Sequence, residues 1–131
     1  MKNILIIIMI LTSSLYAGEY AKLASFAEYS TSSNYGMQHN YYFEKASTGI
    51  SKNIAGRAKQ SDGDYLAKRE ACQDIVMKIT GNKKPLKYCI DLQVLQTIYD
   101  KFGFKVVSTY YYEVKYDSGY SKRTMYTLFK E

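Results

Sequence analysis

Two cysteines, Cys72 and Cys89, set the tightest limit on how this chain can fold. Sixteen residues separate them, and each falls on an apolar stripe with helical spacing. In the first stripe Cys72, Ile75, Val76 and Ile79 recur with the period of an α-helix. In the second, Cys89 precedes Leu92, Leu95, Tyr99 and Phe102, which mark the expected buried face. Ser61 stands three residues before Asp64, a helix-start signal close to a capping box. Gly81-Asn82 ends that helix, and Pro85 suits the first turn of a second one, where its missing N–H costs nothing. Gly103 reads as a left-handed C-cap, with Phe104 at the apolar position of a Schellman motif. Residues 64–103 therefore read as a helical hairpin with both sulfurs inward. A disulfide closing such a loop contributes about 3 kcal/mol in the chain-entropy model. The spacing carries one difficulty: Cys72 lies nine residues before Gly81, whereas Cys89 is four after Pro85. At about 1.5 Å of rise per residue, strictly antiparallel helices would stagger the sulfurs. A steep crossing or an irregular connection has to absorb that.

Whether the thiols pair depends on the compartment, and the N-terminus speaks to it. MKNILIIIMILTSSLYAGEY carries Lys2, an apolar run from Ile4 to Leu11, and small or mixed residues up to Ala17 before Gly18. This is the three-part pattern of a secretory signal peptide, bacterial in style. The run is well short of the roughly 20 residues that span a bilayer. Residues 1–17 are thus expected to be a signal peptide, and 18–131 one mature domain, periplasmic or secreted, in which thiols oxidise. A domain of that size buries about 65% of its unfolded surface, enough for one modest core. No later stretch is apolar enough to span a membrane. Without Lys2 the chain holds 17 Lys and Arg against 12 Asp and Glu, a net +5. That favours anionic surfaces mildly.

Residues 108–129 carry six of the fifteen tyrosines. From Phe104 to Tyr116 the residues alternate as in a long strand, and Asp117-Ser118-Gly119 marks a turn. A two-residue Ser-Gly loop would oppose Lys115 and Lys122. A three-residue loop with Gly119 left-handed opposes Glu113 to Arg123 and Tyr110 to Tyr126, so the sequence favours that register. It places Tyr110, Tyr112, Tyr116, Tyr120, Tyr126 and Leu128 on one inward face. Tyr111 then points outward as a candidate aromatic contact for sugar rings, bases or a partner protein.

Elsewhere the pattern is weaker. Residues 18–35 mix helical spacing with partial alternation. Residues 37–46 read as a third strand around Tyr41, Tyr42 and Phe43. Residues 46–63, rich in Gly, Ser and Lys, read as a long loop of the mobile or functional kind. The expected fold is α+β: a disulfide-linked helical hairpin packed on a small antiparallel sheet that includes a C-terminal β-hairpin.

Several chemistries lack their residues. His39 is the single histidine, too few for a common zinc site, and it reads as a surface or strand residue. No GxSxG elbow, P-loop, dinucleotide fingerprint, EF-hand series or Ser-x-x-Lys motif is present. No cofactor or metal is expected, and no catalytic residue can be named. One basic cluster stands out: Lys78, Lys83, Lys84 and Lys87 gather at the hairpin tip. If Lys83 and Lys84 open the second helix, its free N–H groups would add to an anion site there. The expected function is an exported, non-enzymatic binding or accessory protein of the bacterial envelope, with a protein or anionic partner. The alternatives are a small hydrolase or cell-wall enzyme using carboxylates the sequence does not single out, and a nucleic-acid-binding accessory of DNA uptake or transfer.

Overall fold

The computed structural model describes residues 18–30, 37–45, 52–60 and 64–131. The signal-peptide assignment and the Ser61 cap lie outside the described residues. Among the described residues five strands form one antiparallel sheet: β1 (Glu19–Ser30), β2 (Met37–Lys45), β3 (Lys52–Gln60), β4 (Lys105–Tyr116) and β5 (Gly119–Lys130). Their order across the sheet is β3-β2-β1-β5-β4. Two helices lie between β3 and β4 in the chain, α1 (Asp64–Thr80) and α2 (Asp91–Phe102). The fold is α+β, with the C-terminal hairpin in place. No helix among the described residues is long and apolar enough to cross a membrane.

α1 packs on β2 and β3, and α2 packs beside α1. The Cys72, Ile75, Val76 and Ile79 stripe is buried as its spacing predicts. From the sheet it meets Leu23, Tyr41, Phe43 and Leu128 in one apolar cluster. Cys72 and Cys89 are bonded, with Cα atoms 5.6 Å apart. The stagger is absorbed by an irregular connection, because the second helix begins at Asp91 and not near Pro85. Cys89 therefore sits just before α2, free of helical geometry. Ile90 caps the helix only through its backbone: its N–H donates to the Gln93 side chain at 3.0 Å. The buried stripe of α2 also differs from expectation. Val94 and Ile98 are buried, with Leu95 and Phe102 packed against the core, while Leu92 and Tyr99 face solvent. The stripe runs 91, 94, 95, 98, 102, and its first member is an acid. Gly103 is the left-handed cap, at φ 83°, and its N–H donates to the Tyr99 carbonyl.

Three strand expectations need correction. The long loop over 46–63 contains β3, which pairs with β2 along its whole length. Residues 19–30 are β1, the centre of the sheet, hydrogen-bonded to β2 and β5. The hairpin register is neither of the two weighed from sequence: Tyr116 faces Gly119, and Asp117-Ser118 alone makes the loop. Glu113 then faces Lys122 and Tyr112 faces Arg123. The charges remain complementary, which is why the pairing rule could not decide between neighbouring registers. A bulge at Val107 shifts the alternation, so the tyrosines exchange faces. Tyr110, Tyr112 and Tyr116 stand on the open face, away from the helices. Tyr111 stands on the helix side, in register with Thr124, Ser25 and Tyr41.

Candidate functional site

Where the helices stop covering the sheet, a cleft of about 320 Å³ opens. β1 and β2 supply its floor with Ser25, Ala27, Met37 and His39. Tyr65 and Lys68 enter from the first turns of α1, one helical turn apart. Lys122 and Thr124 enter from β5, and Tyr111 from β4. The volume is at the small end of the range of about 300–1,000 Å³ usual for ligand sites. Among the described residues that line it none is an acid.

Beneath the cleft lies a polar cluster centred on Asp91, the head of the α2 stripe. Tyr41 donates to its Oδ1, and Tyr126 donates to its Oδ2 at 2.6 Å. Ser25 Oγ donates to Oδ1 at 3.3 Å, and the Lys68 ammonium lies 3.3 Å from the same oxygen. Burial pushes the Asp91 carboxyl toward protonation. The hydrogen bonds from Tyr126 and Tyr41 and the Lys68 charge outweigh it, so the pKa falls below its ordinary value. Burial and the neighbouring carboxylate push the phenols of Tyr41 and Tyr126 up, so both stay protonated donors.

His39 lies on strand β2, as one of the two expectations had it, and is buried there, not at the surface. Its Nε2 is 2.9 Å from Ser25 Oγ. Ser25 has one proton and a carboxylate can only accept, so the proton between Ser25 and His39 belongs to Nε2. Burial, then the Lys68 charge, lowers the His39 pKa to about 4. At neutral pH the ring is thus an uncharged donor. Serine, histidine and aspartate meet here, but the histidine gives its proton to the serine. That is the opposite of what a general base does for a nucleophile. The cluster is a buried lock that ties β1, β2 and β5 to α1 and α2.

The other sequence candidates lie elsewhere. Lys78 closes α1 and forms an ion pair with Asp74 at 2.8 Å. Lys83, Lys84 and Lys87 are exposed in the irregular connection. The Asn82 side chain accepts from the Lys84 N–H at 3.1 Å. With α2 starting at Asp91, no helix N-terminus stands behind these lysines, and that premise of an anion site fails. Tyr111 is about half exposed and donates to Glu113 at 2.6 Å. It meets Lys68 and Lys122 at the cleft, which the sequence reading did not foresee. Lys68 and Lys122 were missed because they are far apart in the chain and each reads as an ordinary surface lysine. Among the described residues no group of three His, Cys, Asp or Glu side chains is placed to hold a metal. No protein-family model, curated protein or solved structure matches the chain.

Proposed function

We propose that this chain is an exported, non-enzymatic binding module of the bacterial envelope that holds an anionic group of its partner in the cleft between α1 and the sheet. One observation carries the reading: Lys68 and Lys122 reach the same cleft from helix and sheet, and among the described residues that line it none is an acid. The Lys68 pair with Asp91 leaves the ammonium with donors to spare, since an ammonium has three. Asp91 keeps bonds from Tyr41, Tyr126 and Ser25 if Lys68 turns away. Lys122 forms no ion pair within 4 Å among the described residues and lies 5.8 Å from the Tyr29 and Tyr120 rings. Hydroxyls, aromatic rings and the apolar Ala27 and Met37 make up the rest of the described lining. The Cys72–Cys89 bond and the signal-like residues 1–17 support an oxidising compartment.

The test is NMR titration of the oxidised protein with inorganic phosphate and, separately, with an oligoglutamate peptide. Amide shifts should centre on Lys68, Tyr111 and Lys122. The double variant Lys68→Gln/Lys122→Gln should bind at least about tenfold more weakly, with a shallower salt dependence. Lys83→Gln/Lys84→Gln should bind as wild type. Shifts confined to residues 83–87, or none with either probe, would reject the reading.

A further inference from the structure

We propose that the outer edge of β4 is a self-association surface: two copies of this chain pair antiparallel along residues 111–117, about a two-fold axis through Val114. Among the described residues β4 has one strand neighbour, β5. It is a twelve-residue edge whose residues are exposed or half-exposed throughout. Such an edge is a template for another strand unless something blocks it.

The register follows from the hairpin. Tyr116 and Gly119 close a two-residue loop, and the closing pair of such a hairpin exchanges both of its hydrogen bonds. Even-numbered residues back to Ser108 therefore turn their backbone groups toward β5. Thr109, Tyr111, Glu113 and Lys115 turn theirs outward. Two copies related by a two-fold axis satisfy those outward groups only when odd residues face odd residues. That condition admits a few axes. An axis through Glu113 sets two carboxylates face to face. One through Tyr110 opposes Lys115 to Lys105. Axes through Tyr111 or Tyr112 drive the partner strand into the Val107 bulge, which breaks the ladder. The axis through Val114 does none of these. It sets Glu113 opposite the second copy's Lys115, and by symmetry repeats the pair. On the open face it sets Tyr112 opposite the second copy's Tyr116, again twice.

The open face is prepared for this. Arg123 donates to Tyr116 Oη at 2.7 Å and lies 5.9 Å from the Tyr112 ring. Tyr110 and Tyr112 already stack with centroids 5.8 Å apart. Pairing would extend that stack across the axis. Lys105 and the bulge guard the other half of β4, so the overlap is short and the association weak and concentration-dependent.

The decisive experiment is sedimentation of the oxidised protein from low micromolar to millimolar concentration, with Glu113→Lys, Lys115→Glu and the double exchange. Each single exchange turns two symmetric attractions into repulsions. Dimerisation should therefore weaken about tenfold. The double exchange should restore it. Cooperative thermal unfolding above the assay temperature certifies that the variants fold, since Glu113→Lys also faces Lys122 within its own copy and lowers the midpoint by itself. A wild-type monomer at every concentration overturns the proposal. So do single variants that dimerise like wild type, or a double exchange that fails to rescue.

Discussion

Asp91 accepts hydrogen bonds from two strands and a third through Ser25, while Lys68 approaches from α1. Its removal should therefore act on stability before it acts on binding. Asp91→Asn keeps the shape but removes the charge that strengthens those bonds. Hydrogen bonds to a charged group contribute about 1.5–3 kcal/mol, so a loss of about 2–3 kcal/mol in urea unfolding at pH 7 is expected. His39 gives a separable signature. Its folded pKa, about 4, lies below the ordinary 6.5. Between those values the unfolded chain takes up a proton and the folded chain does not. Stability is full above pH 6.5 and falls by about 3 kcal/mol as pH drops to 4. His39→Gln retains a donor toward Ser25 and cannot titrate, so its unfolding free energy should stay flat across that window. Asp91 acts lower: its depressed pKa gives stability that is present above its ordinary value of 3.8 and is lost as pH falls through the lower folded value. A His39→Gln variant that keeps the slope between pH 4 and 6.5 would show that another group carries it.

At the scale of elements, what the sequence made legible tracks how far one periodicity persists without interruption. α1 keeps its apolar stripe from Cys72 to Ile79 and was readable to its ends. α2 was misplaced because its stripe opens on Asp91, a charged residue at a buried position, and Leu92 next to it offered a plausible wrong phase. β1 is ambiguous in the sequence because its helix-side positions include Ala21, Ser25 and Ala27, small or polar, with only Leu23 and Tyr29 large. β3 is hidden in the sequence because residues 46–63 are rich in Gly, Ser and Lys, and Gly56 stands at the centre of the strand. The structure supplies the reason for that glycine. A Cβ there would collide with the Ala71 carbonyl oxygen and press on Ile75, so α1 can approach β3 only over a residue with no side chain. Gly56→Ala should cost about 1–3 kcal/mol through overpacking, read as a lowered urea midpoint at unchanged slope. The disulfide works at the same scale. It pins the connection two residues before Asp91 and so holds the acid under its donors. Cys72→Ser/Cys89→Ser should lose about 3 kcal/mol, within the range known for loops of this length. The Tyr126 and Tyr41 contacts should loosen with it, visible as shifted tyrosine ring resonances.

At the scale of the whole molecule, the sheet is wider than its helical cover. α1 packs against β3 and β2, α2 packs beside α1 and touches β4 only sparsely, and most of the β5–β4 hairpin runs out beyond them. That asymmetry explains why the tyrosines resisted a reading from pattern alone. On a strand covered by helices, alternation identifies the buried face. On β4 every residue is exposed or half-exposed, so nothing in the alternation says which face is which, and a bulge at Val107 reverses it near the start of the strand. Tyrosine suits such a strand, since its ring packs and its hydroxyl stays wet. The register was fixed from the far side: β5 must match β1 so that Tyr126 and Leu128 face the core, and β4 follows β5. The same geometry makes a whole-molecule prediction for amide hydrogen exchange. In dilute protein, Thr109, Tyr111, Glu113 and Lys115 should exchange fast, because their N–H groups point away from β5. Tyr110, Tyr112 and Val114 should exchange slowly, as ladder donors do. Raising the concentration should slow Glu113 and Lys115 and leave Thr109 fast, since only the former lie within the overlap of two copies. If the fast and slow residues are reversed at low concentration, the hairpin phase is wrong and the pairing axis with it. If the alternation holds but Glu113 and Lys115 stay fast in concentrated protein, the edge is solitary, and the tyrosines of β4 await a different occupant.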